Sequence, residues 1–82
     1  MRLESIPVGS QCRILDVQGD PAAVRRAREL GLVHGVVCTV VRRAPFSGPI
    51  ELATPLAHIG VRPSDELRID VEPVSVRMPE AA

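Results

Sequence analysis

Four side chains in this 82-residue chain carry atoms that bind zinc well: the thiols of Cys12 and Cys38 and the imidazoles of His34 and His58. Structural zinc sites usually take their ligands in close pairs, such as two cysteines separated by two residues, and no such pair occurs here. Both cysteines lie among strand-forming residues, where a free cysteine often packs as a small hydrophobic side chain. The pattern therefore favours two core cysteines without a metal, and a metal carrier that uses both thiols is the alternative.

Residue sets that perform catalysis are absent from the sequence. No serine, histidine and acid form a recognisable nucleophile motif, no glycine-rich loop opens a helix after a strand, and no histidine pair has helical spacing. A GTPase would need a lysine in its phosphate-binding loop, and all ten basic residues are arginines. The sequence therefore predicts a protein that is not an enzyme and that needs no cofactor.

Binding residues are the remaining candidates, and two groups of arginines are among them. Arg25, Arg26 and Arg28 lie in a predicted helix, whereas Arg42 and Arg43 end the segment with the highest strand propensity. Arginine is well suited to bidentate contact with carboxylates of a partner, so one convergent basic patch is a hypothesis for an interaction surface. The alternative is a solvated helix face with Glu29 nearby.

Phe46 is the only aromatic residue in the chain, and it lies in a segment dense in turn-forming residues. An exposed aromatic side chain held between rigid turn residues is a good interface anchor. The alternative is that the ring folds back to plug a small core. The predicted partner-binding residues are Arg25, Arg26, Arg42, Arg43, Pro45 and Phe46.

Composition excludes several function classes. Ten acidic residues balance the ten arginines, so no net charge attracts nucleic acid or an anionic membrane. A single aromatic residue also leaves no platform on which bases could stack. No signal peptide is visible and no apolar run approaches the roughly 20 residues that span a bilayer, which predicts a cytoplasmic protein with reduced thiols.

One helix is predicted, over residues 21–30. Asp20 is a good N-cap and Pro21 suits the first helical position, because proline has no amide hydrogen to leave unpaired. Gly31 fits the left-handed position that commonly follows a helix, and Leu32 is placed for the accompanying apolar contact. The helix therefore presents one narrow apolar stripe to the core.

Five strands are predicted, over residues 11–17, 36–43, 50–53, 58–61 and 67–71. In the first of them, strict alternation would place Cys12 and Ile14 on one face and Leu15 and Val17 on the other. Ser64 and the two acids after it suggest a capped helical turn before the last strand. We expect residues 1–72 to form one domain and residues 73–82 to form a flexible tail.

Short, evenly spaced strands with one inserted helix suggest a small all-β domain that closes into a barrel. The segments ELGLVHG at residues 29–35, RAPFSGPI at 43–50 and VR at 61–62 together resemble the FeoA family. The resemblance extends over residues 3–71 and implies a cytosolic SH3-like barrel. It also implies a partner, the FeoB-type membrane GTPase of bacterial ferrous iron uptake.

The resemblance makes an adaptor or regulator of an FeoB-type transporter the leading hypothesis, acting by protein–protein contact without chemistry of its own. The same fold is the C-terminal domain of DtxR-type iron-dependent repressors, so a related regulatory module is the alternative. A small metal-binding protein is the third reading. Homo-oligomerisation is left open, as are the direction of regulation and any dependence on nucleotide or iron.

Overall fold

One antiparallel sheet of five strands is the main element of the computed structural model, which describes residues 1–46 and 48–74. The strands are β1 (Gln11–Gly19), β2 (Val37–Arg43), β3 (Ile50–Ala53), β4 (His58–Val61) and β5 (Leu67–Val74). Their spatial order is β4-β3-β2-β1-β5. Helix α1 (Pro21–Glu29) follows β1, and a short 3-10 turn (Leu3–Ser5) lies before β1. The predicted all-β fold, with five strands and one helix after the first, is confirmed.

The first strand differs from its prediction because it contains a β-bulge. The pairing of β1 with β5 shifts register between Ile14 and Asp16, so the intervening residue has no directly opposed partner. This extra residue returns Val17 to the buried face that Cys12 and Ile14 share, while Leu15 is exposed. The prediction that Leu15 and Val17 share a face is therefore wrong, since strict alternation does not continue through a bulge.

The core is aliphatic and draws on every strand, on α1 and on the N-terminal turn. Its buried members are leucine, isoleucine, valine, alanine and cysteine, and no polar or charged side chain is buried among the described residues. The core residues are Leu3, Ile6, Cys12, Ile14, Val17, Ala27, Leu32, Cys38, Val40, Ile50, Leu52, Val61, Ile69 and Val71.

Helix α1 ends in the cap that its sequence predicts. The amide of Gly31 donates to the carbonyl of Arg28, and the amide of Leu32 donates to the carbonyl of Ala27 at 3.0 Å. These two bonds define the Schellman motif, in which Gly31 adopts a φ of +100°. Leu32 is fully buried, so the cap also attaches the helix to the core.

Within the described part of the chain, no helix has the length and apolar character needed to cross a membrane.

The N-terminus of α1 depends on one carboxylate. An oxygen of Asp20 accepts hydrogen bonds from the amides of Ala22 at 3.1 Å and Ala23 at 3.2 Å. We expect Asp20→Ala to lower the free energy of unfolding by about 1 kcal/mol, because both amides lose their acceptor. Asp20→Asn keeps an accepting oxygen, so its loss of unfolding free energy should be only a few tenths of the loss in Asp20→Ala. Equal losses in the two variants, measured by thermal denaturation, would contradict this account of the cap.

Helix α1 lies beside both edge strands of the sheet. A groove is lined from the helix by Ala23 and Ala27 and from the sheet by Val61 of β4 and Leu67 of β5. Within residues 1–46 and 48–74, no backbone ladder joins β4 to β5. The barrel is therefore not closed by hydrogen bonds all the way round as the strand pattern suggested.

The chain reverses between β4 and β5 in a tight turn, not in the predicted helical turn. Ser64 and Leu67 exchange two backbone hydrogen bonds at 3.0 and 3.1 Å, which leaves only two residues to turn the chain. The Ser64 hydroxyl accepts from the amide of Glu66, so its capping role is as predicted. Strand β5 continues to Val74, two residues into the predicted tail, and the rest of that tail lies outside the described residues.

Candidate protein-interaction site

The described residues of the connection between β2 and β3, 44–46 and 48–49, display Phe46 and are called the Phe46 loop below. Two backbone hydrogen bonds close this loop: the amide of Ala44 donates to the carbonyl of Pro49 at 3.1 Å, and that of Gly48 donates to the carbonyl of Pro45 at 3.2 Å. Both prolines have a fixed φ, which further restricts the loop. The loop is therefore a short, pre-shaped support for one aromatic side chain.

The Phe46 side chain is 100% exposed, so it does not plug the core. Its backbone has a φ of +58°, and it is the only non-glycine residue with a positive φ within the described ranges. This left-handed conformation costs a bulky residue about 1 kcal/mol, and strained residues tend to gather at functional sites. Since the ring gains nothing from burial in this chain, Phe46 is the strongest candidate for an anchor that a partner would bury.

An open groove of about 460 Å³ runs beside Phe46. Residues from three separated parts of the chain line it, including two that the sequence did not single out, Glu4 of the N-terminal turn and Pro63 after β4. One acidic and one basic residue line the groove, and its other lining residues are apolar. This groove is called the Phe46 groove below. Its lining residues are Glu4, Arg43, Ala44, Pro45, Phe46, Gly48, Ile50 and Pro63.

Arg43 fixes the base of the Phe46 loop to the N-terminal turn. Its guanidinium donates a 2.6 Å hydrogen bond to the carbonyl of Ile6, a residue whose side chain is buried in the core. Arg43 therefore has a structural contact of its own, whereas Arg42 is exposed and makes none of the ion pairs that the described residues form.

Because of this contact, we expect Arg43→Ala to lower the free energy of unfolding by about 1–2 kcal/mol, since a buried carbonyl loses a charged donor. The matched variant Arg42→Ala should stay within about 0.5 kcal/mol of the parent, as is usual for exposed sites. Urea denaturation of the two variants checks the difference. A loss at Arg42 as large as at Arg43 would show that the bond to Ile6 is not the cause.

The helix arginines lie in grooves of their own. Arg25 and Arg26 share a groove with Glu29, and Arg25 also lines a second groove at the end of β1. The ion pairs of the described residues are Arg2–Asp70 and Arg13–Glu72, so Glu29 forms no ion pair with the helix arginines. The structure thus places the helix arginines and Arg43 in separate grooves, and the role of both groups in partner binding stays a prediction.

The structure brings the two cysteines together in the core and places both histidines at the surface. Cys12 and Cys38 are directly opposed on β1 and β2, both are buried, and their Sγ atoms are 3.6 Å apart. His34 and His58 are both exposed. Among the described residues, no three His, Cys, Asp or Glu side chains are grouped as a metal site.

The two thiols share one hydrogen bond and therefore titrate as a pair. The hydrogen bond from Cys38 lowers the pKa of Cys12 against the opposing effect of burial. The same hydrogen bond and burial both raise the pKa of Cys38. One thiolate therefore forms first, and it is stabilised by a hydrogen bond from the neighbouring thiol, which keeps its proton.

Sequence reasoning did not select one further exposed apolar residue, Leu56. It is 89% exposed in the turn between β3 and β4, where the Thr54 hydroxyl accepts from the amides of Leu56 and Ala57 at 3.3 and 3.1 Å. A leucine after proline in a short turn could have indicated this exposure. Because β3 separates the two turns, Leu56 lies at the opposite end of that strand from Phe46.

Comparison with known proteins identifies close relatives. The family model described as the FeoA domain matches residues 1–73. The chain is 35% identical over 75 residues to the Fe(2+) transport protein A/Fe(2+) transporter FeoB fusion protein of Porphyromonas gingivalis. That match covers 92% of this chain but only 9% of the fusion protein, so the chain spans a small part of its relative's length.

Solved structures of similar proteins have the same fold. The solution structure of FeoA from Chlorobium tepidum matches with a TM-score of 0.82 and 29% identity, covering 98% of this chain and 76% of that one. The crystal structure of Stenotrophomonas maltophilia FeoA complexed with zinc, described as an SH3 domain protein, matches with a TM-score of 0.73 and 28% identity over 88% and 89%.

A regulatory protein has the same fold as well. A manganese-dependent transcriptional repressor matches with a TM-score of 0.71 and 19% identity, covering 84% of this chain and 40% of that chain. At this identity the likeness shows a shared fold and no shared activity.

Proposed function

Because this chain belongs to the FeoA family, a family linked to ferrous iron transport, we propose that it is an adaptor that binds a FeoB-type transporter and affects its assembly or activity. It acts from the cytoplasmic side by protein–protein contact, without chemistry of its own. The Phe46 loop is the part of the chain that the transporter covers.

The fusion relative supports the choice of partner. In the Porphyromonas gingivalis protein, a segment similar to this chain is covalently joined to a transporter. Joining two binding modules keeps each at a high effective concentration near the other, which benefits proteins that act together. Modules that act together in this way still meet through their surfaces, so an exposed anchor on this chain supports the proposal.

The single observation that carries the proposal is the full exposure of Phe46 on a strained, closed loop. Aromatic residues are enriched among the few residues that dominate binding energy, and a pre-shaped loop loses little entropy when it binds. Burial of the ring by the transporter would recover apolar area that the free chain leaves in water.

Exposed arginines provide a second, electrostatic contribution. Arg25, Arg26 and Arg42 are exposed and make none of the ion pairs within residues 1–46 and 48–74. Each is available for bidentate contact with a carboxylate of the partner. Contacts of this kind mainly raise the association rate and weaken as salt rises.

A calorimetric titration of the chain with the FeoB-type transporter of the same organism tests the proposal. We expect saturable binding to the soluble cytoplasmic domain or to the full transporter. Absence of binding to both would contradict the adaptor function. A regulatory module of the repressor type is supported by fold likeness alone, and it would instead predict binding to a DNA-binding partner protein.

A further inference from the structure

Cys12 and Cys38 form a pair that the proposed docking surface does not include. They are directly opposed in the β1–β2 ladder, and the exposed fractions of their side chains are 0% and 1%. Their Sγ atoms lie 3.6 Å apart although the residues are 26 positions apart in sequence. Packing alone would require only two small apolar side chains at these positions.

The backbone at this pair suits a covalent bond. Directly opposed residues of antiparallel strands have Cα atoms about 4.5–5.5 Å apart, which lies within the range that disulfides span. The two sulfurs need to approach by about 1.5 Å to reach the S–S bond length, and rotation of the side chains supplies most of that movement. No rearrangement of the strands is needed.

We propose that Cys12 and Cys38 are an oxidation site, at which a hydroperoxide closes an intramolecular disulfide that links β1 to β2 through the core. This inference does not depend on the proposed transporter partner. It concerns a bond inside the chain, and it turns an otherwise inert core into one that responds to oxidants.

The reaction has two steps. With hydrogen peroxide as the oxidant, the Cys12 thiolate attacks one peroxide oxygen, so an S–O bond forms, the O–O bond breaks, and the leaving hydroxide takes up the proton that Cys12 released and becomes water. The Cys38 sulfur then attacks the Cys12 sulfenic acid, so the S–S bond forms and the S–O bond breaks. The second hydroxide takes the Cys38 proton and leaves as water, and the two sulfurs have given two electrons to the peroxide.

The hydrogen-bonded pair assists both steps. The bond from Cys38 lowers the pKa of Cys12, which favours the thiolate that attacks first. The second sulfur is already in contact, so the sulfenic acid is captured before further oxidation. Because both thiols are buried, only small oxidants can reach them, and only when the strand pair opens locally. The reaction should therefore be slow.

Treatment of the folded chain with hydrogen peroxide tests the site. We expect a monomer about 2 Da lighter that resists alkylation after unfolding and is restored by a phosphine reductant. Its melting temperature should rise by roughly 5 °C or more, because the bond restricts the unfolded chain. Two alkylatable thiols, disulfide-linked dimers or sulfinic acid as the main product would each overturn the proposal.

Single variants and an equilibrium provide the controls. Cys12→Ala and Cys38→Ala each keep one thiol, and neither should lose mass or gain thermal stability under peroxide. Equilibration of the parent chain with a glutathione buffer needs no variant. The constant for disulfide formation should be at least about tenfold larger in the folded chain than in urea, because folding holds the sulfurs together. An equal or smaller constant for disulfide formation would mean that the folded geometry does not favour the bond, and it would overturn the proposal.

Discussion

Gly19→Ala is expected to lower the free energy of unfolding by about 3 kcal/mol or more, enough to unfold much of a small domain. Gly19 ends β1 with a φ of +139°, a region that is essentially restricted to glycine. A Cβ atom there would clash with the carbonyl oxygen of Glu66. That same oxygen accepts the 2.8 Å hydrogen bond of the Asp20 amide, so the clash would also disturb the start of α1.

Two other glycines provide matched controls for this prediction. Gly60 has open space around the added Cβ and no positive φ, so Gly60→Ala should be close to neutral. Gly9 has a φ of +91° but also open space, so Gly9→Ala should cost only the backbone strain of about 1 kcal/mol. Urea denaturation of the three variants separates contact from strain. A Gly19→Ala loss no larger than that of Gly9→Ala would contradict the clash.

Phe46→Gly is expected to weaken transporter binding at least about 30-fold while leaving stability within about 1 kcal/mol of the parent. The ring is fully exposed, so its removal costs no burial in the free chain. Glycine relieves the strain of the φ of +58° but adds freedom to the unfolded chain, and these two effects largely cancel. A residue with a purely structural role could not lose affinity and keep its stability in this way.

Leu56→Ala is the control for the loss of an exposed apolar side chain. Leu56 is 89% exposed in the other turn next to β3, so its removal also costs little stability. Its affinity for the transporter should stay within about threefold of the parent, since the turn lies away from the Phe46 groove. Titration calorimetry checks both variants, and an equal loss in both would show that the Phe46 loop has no special role.

Local signals in the sequence were sufficient for the helix and for most of the strands. Asp20 and Pro21 begin α1 as predicted, because capping depends on atoms within four residues of each other. Gly31 and Leu32 end it for the same reason. The strand-forming run before Arg43 likewise predicts β2 to within one residue of its observed start.

Features set by contacts between distant segments could not be predicted. The bulge that returns Val17 to the buried face arises from pairing with β5, more than 50 residues later in the chain. The apposition of Cys12 and Cys38 depends on the register of β1 against β2, which neither segment specifies alone. The bond of Arg43 to Ile6 is another such contact.

The candidate site was partly visible in the sequence. The turn residues around Phe46 indicated where a loop would display the ring. The exposure of the ring and the strain of its backbone depend on the folded structure. Glu4 and Pro63 join the Phe46 groove from distant positions, so no local pattern could have selected them.

The most direct test of the adaptor function is to observe which surface the transporter covers. The amide signals of an ¹⁵N-labelled chain can be followed by NMR while unlabelled FeoB-type transporter is added in detergent. We predict selective attenuation at Ala44, Phe46 and Gly48, with the signals of Leu56 and Ala57 attenuated no more than the chain average. Attenuation centred on Leu56 and Ala57, or no change at any amide, would contradict the account.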